Sequence, residues 1–305
     1  MQAELIMCRR KCCPAASPLR AWHAPGCLLQ WLNRVQLNRN VLLPVVHAVA
    51  QGVFATGQYP VAWSQAAVSA VFKKGDPQQH TNYRGIAVGN ILGKVFSMVL
   101  DARVASWCEQ HGLRARGQAG FRKGMRTTDQ LFVLRHLLAK YKDSKRKLYM
   151  CFVDFEKAYD SVRRDLLLQR LGRLGVCGNM LRAIACMYSA VPMCARSEGK
   201  ISSSFDSELG VKQGDPMSPL LFGLFLDGVE KHVAQCAGGT GVDIGGQPCQ
   251  MLLYADDIVL LASSARDLQR QMTALSAFCS ESHMRINVQK TKVQWWAHPT
   301  CKCGG

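Results

Sequence analysis

The sequence predicts an α+β protein in which short apolar strands end in acids and longer amphipathic helices lie between them. Two observations carry this reading. In Met251-Leu252-Leu253-Tyr254-Ala255-Asp256-Asp257-Ile258-Val259-Leu260-Leu261-Ala262, two adjacent acids sit between two apolar runs. An ionised carboxylate is costly to bury unless a cation or hydrogen bonds compensate it. Successive strand residues point to opposite faces, so both acids converge only at a tight turn, which puts Asp256 and Asp257 at the tip of a hairpin. An isolated Asp-Asp would be read as an ordinary acidic turn. The second observation displaces that reading: Lys147-Leu148-Tyr149-Met150-Cys151-Phe152-Val153 is another strand-like run, and it delivers a third carboxylate, Asp154.

Carboxylates held in this way suit divalent cations. Two such ions about 3.5 to 4 Å apart activate an attacking hydroxyl and stabilise the leaving oxygen of an in-line phosphoryl displacement. Mg²⁺ is the expected ion, because it takes hard oxygen ligands and shares them with substrate phosphates; Mn²⁺ is its substitute. The reaction class is nucleotidyl transfer.

Composition narrows the partners. Residues 1–153 hold 22 Lys and Arg against 6 Asp and Glu, while residues 154–305 hold 16 against 15. A basic half joined to a near-neutral half that carries a metal site points to a polyanion backbone, most simply nucleic acid. The 14 cysteines are scattered through apolar segments and follow no secretory leader, so they read as reduced residues of an intracellular protein. His298, Cys301 and Cys303 supply three zinc-type ligands without a fourth at standard spacing. No apolar run reaches the roughly 18 residues of a spanning helix, so no membrane partner is expected.

Taken in order, residues 1–40 read as a poorly ordered or non-matching arm. The apolar positions from Leu28 to Phe54 fit one or two helices around Pro44, and Ala66–Phe72 reads as a strand followed by a turn that carries Lys73 and Lys74. A helix is expected from about Gly89 to Cys108. Gln118-Ala119-Gly120-Phe121-Arg122-Lys123-Gly124 reads as a basic loop with an aromatic in it, suited to nucleic acid with the backbone on the charges and a base on the ring. Thr128–Tyr141 is a helix. After Asp154, helices are expected near Arg163–Leu174 and Asn179–Ala190, and short strands near 193–198 and 201–209. Gln213-Gly214-Asp215-Pro216 is a glycine-bearing loop, with Asp215 as cap and Pro216 as first residue of an apolar helix reaching Val233. A helix through Leu268–Cys279 and a last strand, Val293–Trp296, complete the pattern.

Seven of these segments in this order resemble the reverse transcriptases of non-LTR (LINE-type) retrotransposons: Lys73-Lys74-Gly75-Asp76, Asn82-Tyr83-Arg84, Gln118–Phe121, Phe152–Asp160, Gln213-Gly214-Asp215-Pro216, Tyr254–Asp257 and Lys290-Thr291-Lys292. The likeness spans about residues 40–296 and implies a right-hand polymerase fold. It gives fingers over residues 41–147, a palm over 148–299 with inserted fingers elements, a tail at 300–305, and a thumb absent or truncated. By the same likeness Asp154 and Asp256 are metal ligands, Asp257 completes the acidic cluster, and the Phe155 carbonyl is a minor ligand. Lys73, Lys74 and Arg84 would clamp the incoming triphosphate. Gln213 and Gly214 would lie near nucleotide and template, and Tyr159 would be the gate that excludes a 2′-hydroxyl. Gln118, Phe121, Arg122 and Lys123 would contact nucleic acid. Lys290, with Lys292 as second choice, would protonate the leaving pyrophosphate. The implied function is RNA-directed DNA polymerisation with an RNA template, a DNA primer and dNTPs, inside a ribonucleoprotein of nucleus or cytoplasm. The alternatives are an idle nucleic-acid-binding remnant, an RNA-dependent RNA polymerase and a group II intron maturase-like protein.

Overall fold

The computed structural model describes residues 39–197 and 200–296. The expected N-terminal arm as far as residue 38, and the His298, Cys301 and Cys303 ligands, lie outside the described residues. Contacts divide the chain into two compact units. Among the described residues, the first takes in those up to Trp107 and those within Leu168–Glu208 and Gln213–Met217; the second takes in Cys108–Leu167, Leu209–Lys212 and those from Ser218 on.

In the first unit, helix α1 (Arg39–Thr56) runs through Pro44 as one helix. A single helical turn, Val61–Ser64, leads to β1 (Ala66–Phe72), the strand the apolar run predicted, and β2 (Tyr83–Gly89) returns antiparallel to it. The hairpin is closed by Lys73 N–H on the Asn82 carbonyl at 2.8 Å, which leaves Lys73 and Lys74 exposed at its end. Helix α2 (Ile91–Gln110) follows. Its Ser97 hydroxyl bonds the Asp215 carboxylate, and the Met217 N–H also reaches that carboxylate, at 3.0 Å.

The second unit carries the sheet that matters for chemistry. Helix α3 (Thr127–Asp143) starts with Asp129 accepting the Arg126 N–H at 2.7 Å and ends with Lys140 and Lys142, charges that match its dipole. It precedes β3 (Leu148–Val153). Helices α4 (Arg164–Leu174) and α5 (Gly178–Met187) come next, α4 being stopped by Gly175 at φ 100°. Strands β4 (Pro192–Ser197), β5 (Lys200–Ile201) and β6 (Phe205–Asp206) complete the first unit's sheet, in the order β2-β1-β4-β5 with β6 on β4. The β1–β4 pairing is parallel.

Beyond these, α6 (Ser218–Leu226) and α7 (Gly228–Ala237) replace the single helix expected from Pro216 to Val233. The start moves to Ser218 because Asp215 turns the chain tightly before the helix. The break falls at Asp227-Gly228, where the Asp227 side chain is pulled into an ion pair with Arg114 and glycine favours helix poorly. A small hairpin that the sequence reading did not anticipate, β7 (Val242–Ile244) and β8 (Gln247–Cys249), leads into β9 (Met251–Tyr254), β10 (Asp257–Ala262), α8 (Ala265–Glu281) and β11 (Lys292–Trp296).

The order β11-β3-β10-β9 is antiparallel throughout. Leu148 and Met150 of β3, Leu252 of β9 and Leu261 of β10 form one buried cluster with Leu137 and Tyr141 of α3. Helix α8, capped by the Ser264 hydroxyl accepting the Asp267 N–H at 3.1 Å, packs on β10 and β3. Its buried Gln271 donates to the carbonyls of Leu261 (2.9 Å) and Thr240 (2.5 Å), locking helix to sheet. The acids therefore leave from a strand pair fixed by helices.

The Arg114–Asp227 pair, 2.6 Å apart with side chains 2% and 5% exposed, ties the segment after α2 to the α6–α7 break. Removing one partner of a buried pair leaves an uncompensated charge. We expect Asp227→Ala to cost about 3 to 5 kcal/mol in urea unfolding, and Arg114→Met with Asp227→Leu to recover most of it. A loss of about 1 kcal/mol or less, as for an exposed pair, would contradict the assignment.

Candidate active site

The site is assembled by strand register. Ile258 of β10 pairs with Val153 of β3, so the next step along both strands sets Asp257 opposite Asp154. Tyr254 pairs with Asp257 across a two-residue turn, Ala255-Asp256, which brings Asp256 to the same end of the sheet. The sequence argument for a hairpin tip holds, with one refinement: Asp257 is already the first residue of β10. Partial burial raises the Asp257 carboxyl above the usual aspartate range, and the Asp256 and Asp154 charges raise it further. The three carboxylates thus feel one another.

Asp154 is anchored through its backbone. Its N–H reaches the Thr291 hydroxyl at 3.4 Å and its carbonyl accepts the Asn287 N–H at 2.8 Å. Phe155 bridges Ile286, but the two hydrogen bonds of that bridge run from Asn287 to Asp154 and from Glu156 to Arg285, so the Phe155 carbonyl is not one of their acceptors. Lys290 Nζ lies 3.6 Å from Asp154 Oδ1, an oxygen that is buried without a hydrogen bond among the described residues. A buried, under-satisfied carboxylate oxygen calls for a cation.

Among the described residues no three His, Cys, Asp or Glu side chains close a metal cage by themselves. That does not conflict with a Mg²⁺ site, since Mg²⁺ is held by one or two carboxylates while waters and substrate phosphates fill its octahedron. The donor set, all hard oxygens with Asp154 Oδ1 orphaned among the described residues, fits a divalent ion.

Tyr159 stands on the same unit. Its ring stacks on Phe222 with centroids 4.6 Å apart and planes 12° from parallel, and the Phe121 ring meets it edge-on at 6.5 Å. Burial, and secondarily the Asp256 charge, raises the Tyr159 phenol above its ordinary value. The ring is therefore neutral and held in one plane. Tyr159 and Val162 also receive the 209–212 segment, whose Gly210 at φ 79° lies so close that a Cβ would come within 2.8 Å of Asp160 Cα.

Two residues expected at nucleic acid make their contacts within the protein. Gln118 is fully buried, with its amide spent on the backbone of Ala255. Arg122 is bidentate to Glu109 at 2.8 and 2.7 Å and also donates to the carbonyls of Ala115 and Gln118. Both polar groups serve the protein interior. Phe121, at φ 57°, and Lys123 remain exposed. The sequence reading also missed Gln130, whose amide donates to the Gly117 carbonyl at 3.0 Å. No local pattern marks that contact.

The remaining candidates belong to the first unit. Lys73, Lys74 and Arg84 are exposed on the β1–β2 hairpin. The Gln213 carbonyl accepts the Ala87 N–H of β2 at 2.7 Å, and Gly214, at φ 111°, would drive a Cβ to 2.8 Å from the Ala87 carbonyl oxygen. The close approach that Gly214 allows is to β2. Lys292 Nζ donates to the Gln289 carbonyl, which leaves Lys290 as the lysine facing Asp154. No helix among the described residues is long and apolar enough to cross a membrane.

Comparison with known proteins agrees with this geometry. Residues 71–301 match the family model described as reverse transcriptase (RNA-dependent DNA polymerase). The chain is 27% identical over 271 residues to the retrovirus-related Pol polyprotein from the type-1 retrotransposable element R2 of Popillia japonica, which covers 87% of this chain and 36% of that protein. It is 23% identical over 289 residues to the RNA-directed DNA polymerase from the mobile element jockey of Drosophila melanogaster, covering 92% of this chain and 31% of the relative. The chain thus spans about a third of these relatives' length. Among solved structures, the telomerase of Candida tropicalis in complex with a fragment of telomeric RNA superposes with a TM-score of 0.57 at 12% identity, over 85% of this chain and 46% of that one. The fold is the right-hand polymerase fold, the relatives are non-LTR retrotransposon polymerases, and the chain belongs to the reverse transcriptase family.

Proposed function

We propose that this chain is an RNA-directed DNA polymerase domain that extends the 3′-hydroxyl of a DNA primer along an RNA template. The observation that carries the reading is the β3–β10 register, which supports a single acidic site made by Asp154 and the Asp256-Asp257 turn. Reverse transcriptase domains generally use divalent metal ions. Here Asp154 and Asp256 are assigned two Mg²⁺, replaceable by Mn²⁺, with Asp257 and the Phe155 carbonyl as additional donors. When bound, the ions lower the pKa of the attacking hydroxyl and neutralise the charge developing on the phosphoryl oxygens.

The chain's own residues do the rest. The primer 3′-hydroxyl releases its proton to solvent as its oxygen bonds the α-phosphorus and the bond from that phosphorus to the pyrophosphate oxygen breaks. Lys290 is assigned the proton that the leaving pyrophosphate gains, and its contact with Asp154 at 3.6 Å holds it close to the acids. Tyr159, clamped by Phe222, presents a rigid ring where a 2′-hydroxyl would need room. Lys73 and Lys74, as compact point charges, and Arg84, as a planar fork, are assigned the triphosphate of the incoming nucleotide. Gln213 and Gly214 are assigned to the nucleotide and template. Exposed Phe121 and Lys123 are assigned to single-stranded template, the ring for a base and the ammonium for a phosphate. The working form is assigned to a ribonucleoprotein of nucleus or cytoplasm.

Three outcomes test this. Asp154→Asn and Asp256→Asn should abolish primer extension on an RNA template while hybrid binding, read by fluorescence anisotropy, is unchanged or tighter; normal extension by either variant would sink the assignment. Tyr159→Val should raise the ratio of ribonucleotide to deoxyribonucleotide incorporation, and an unchanged ratio in a folded variant would reduce Tyr159 to a packing residue. The third is a pH effect. Because the folded state raises the Asp257 carboxyl, it binds that proton more tightly than the unfolded chain does. In chelator, the contribution of Asp257 to stability, read as the difference between parent and Asp257→Asn, should fall as pH rises from the ordinary aspartate pKa of about 3.9 through the raised folded value, then level off. Thermal melts of Asp257→Asn should lack this component.

A further inference from the structure

We propose that Gln118 is a positioning residue for the Asp256-Asp257 turn, and that the segment Gly117–Gly120 is a clamp on that turn. The inference rests on Asp256 being a metal ligand. It starts from the turn's own chemistry. Ala255, the first corner of the two-residue turn, sits at φ 58°, a region that L-residues enter reluctantly and that hairpins ordinarily give to glycine. Ala255 is also buried, so its N–H and C=O are withdrawn from water and need partners inside the protein. Nothing in the local sequence of the turn meets either requirement.

Gln118 meets both. Its Oε1 accepts the Ala255 N–H at 2.9 Å, and its Nε2 donates to the Ala255 carbonyl at 3.3 Å. One planar amide thus satisfies both backbone groups of the left-handed residue. The same Oε1 accepts the Gly120 N–H at 2.8 Å, which fixes the side chain's own orientation.

The clamp is itself rigid. The Leu253 N–H donates to the Gly117 carbonyl at 3.0 Å and the Ala119 N–H to the Leu253 carbonyl at 2.9 Å, so Gln118 forms an isolated parallel bridge with Leu253 of β9. Gln130 and Arg122 hold the carbonyls of Gly117 and Gln118 from outside. Gly120 passes so close to the turn that a Cβ there would lie 2.1 Å from the Ala255 nitrogen. Asp256 follows Ala255 directly. A shift in the Ala255 torsions therefore moves the Asp256 carboxylate, and misplacement by about 1 Å can cost a hundredfold in rate.

The test uses the full chain, with Mn²⁺ as probe, read by electron paramagnetic resonance without nucleotide. Gln118→Leu keeps the volume and removes the amide. We expect Mn²⁺ affinity to fall about 10- to 100-fold, as for partners that orient metal ligands, and kcat for single-nucleotide addition to fall with it. KM for dNTP, hybrid affinity and the far-ultraviolet circular dichroism spectrum should stay near those of the parent. Unchanged Mn²⁺ affinity and kcat would overturn the proposal, as would a loss confined to hybrid affinity, which would return Gln118 to nucleic-acid contact. Should Gln118→Leu fail to fold, Gly120→Ala carries the test: it removes no hydrogen-bonding group yet presses on the Ala255 amide, and unchanged Mn²⁺ affinity there overturns the clamp. Asp256→Asn is measured in parallel. If it abolishes Mn²⁺ binding and the clamp variants do not weaken it, positioning alone fails; if it too leaves binding unchanged, the metal assignment fails with it.

Discussion

Repulsion between like charges at one end of a small sheet is the constraint on which the rest of this structure depends. Asp154, Asp256 and Asp257 meet at that end, where partial desolvation and then the two neighbouring acidic charges raise the Asp257 carboxyl. A flexible chain would relieve the strain by splaying the side chains into water. Here the backbone prevents that. The β3 and β10 strands are zipped from Tyr149 to Val153, both are covered by buried aliphatic side chains, and α8 is tied to the sheet through Gln271. Rigidity turns repulsion into a standing demand for cations.

The basic residues divide by what they touch, and the division refines the meaning of the net charge. Arg114 and Arg122 are consumed inside the protein, one against Asp227 and one against Glu109 and two carbonyls. Their planar forks suit such multi-point contacts. Lys73, Lys74, Arg84 and Lys123 stay exposed. A basic composition thus reports both internal bracing and external attraction, and only the fold separates the two.

The sequence made the acidic site legible because its signals are local. The run Ala66–Phe72 is β1 to the residue, and the apolar runs around Asp154 and the Asp256-Asp257 pair are strands as their β-branched and aromatic content required. Contacts over long sequence separations were illegible. Gln118-Ala119-Gly120 reads as part of a basic loop by composition, yet its amide is buried, because its partner is a backbone turn 137 residues away. The alternation Gln-Ala-Gly was the one available hint. The break between α6 and α7 has a local mark in Asp227-Gly228, but the ion pair that draws Asp227 out of the helix is with Arg114, 113 residues away.

The central claim is that these carboxylates form a metal-dependent centre for RNA-templated DNA synthesis, and primer extension by the purified chain tests it most directly. With an RNA template, an annealed DNA primer, dNTPs and Mg²⁺, the account predicts addition of the deoxynucleotides complementary to the template, abolished by a chelator and restored by excess Mg²⁺ or Mn²⁺. A folded chain that binds the primed template yet adds no nucleotide with either ion would contradict it.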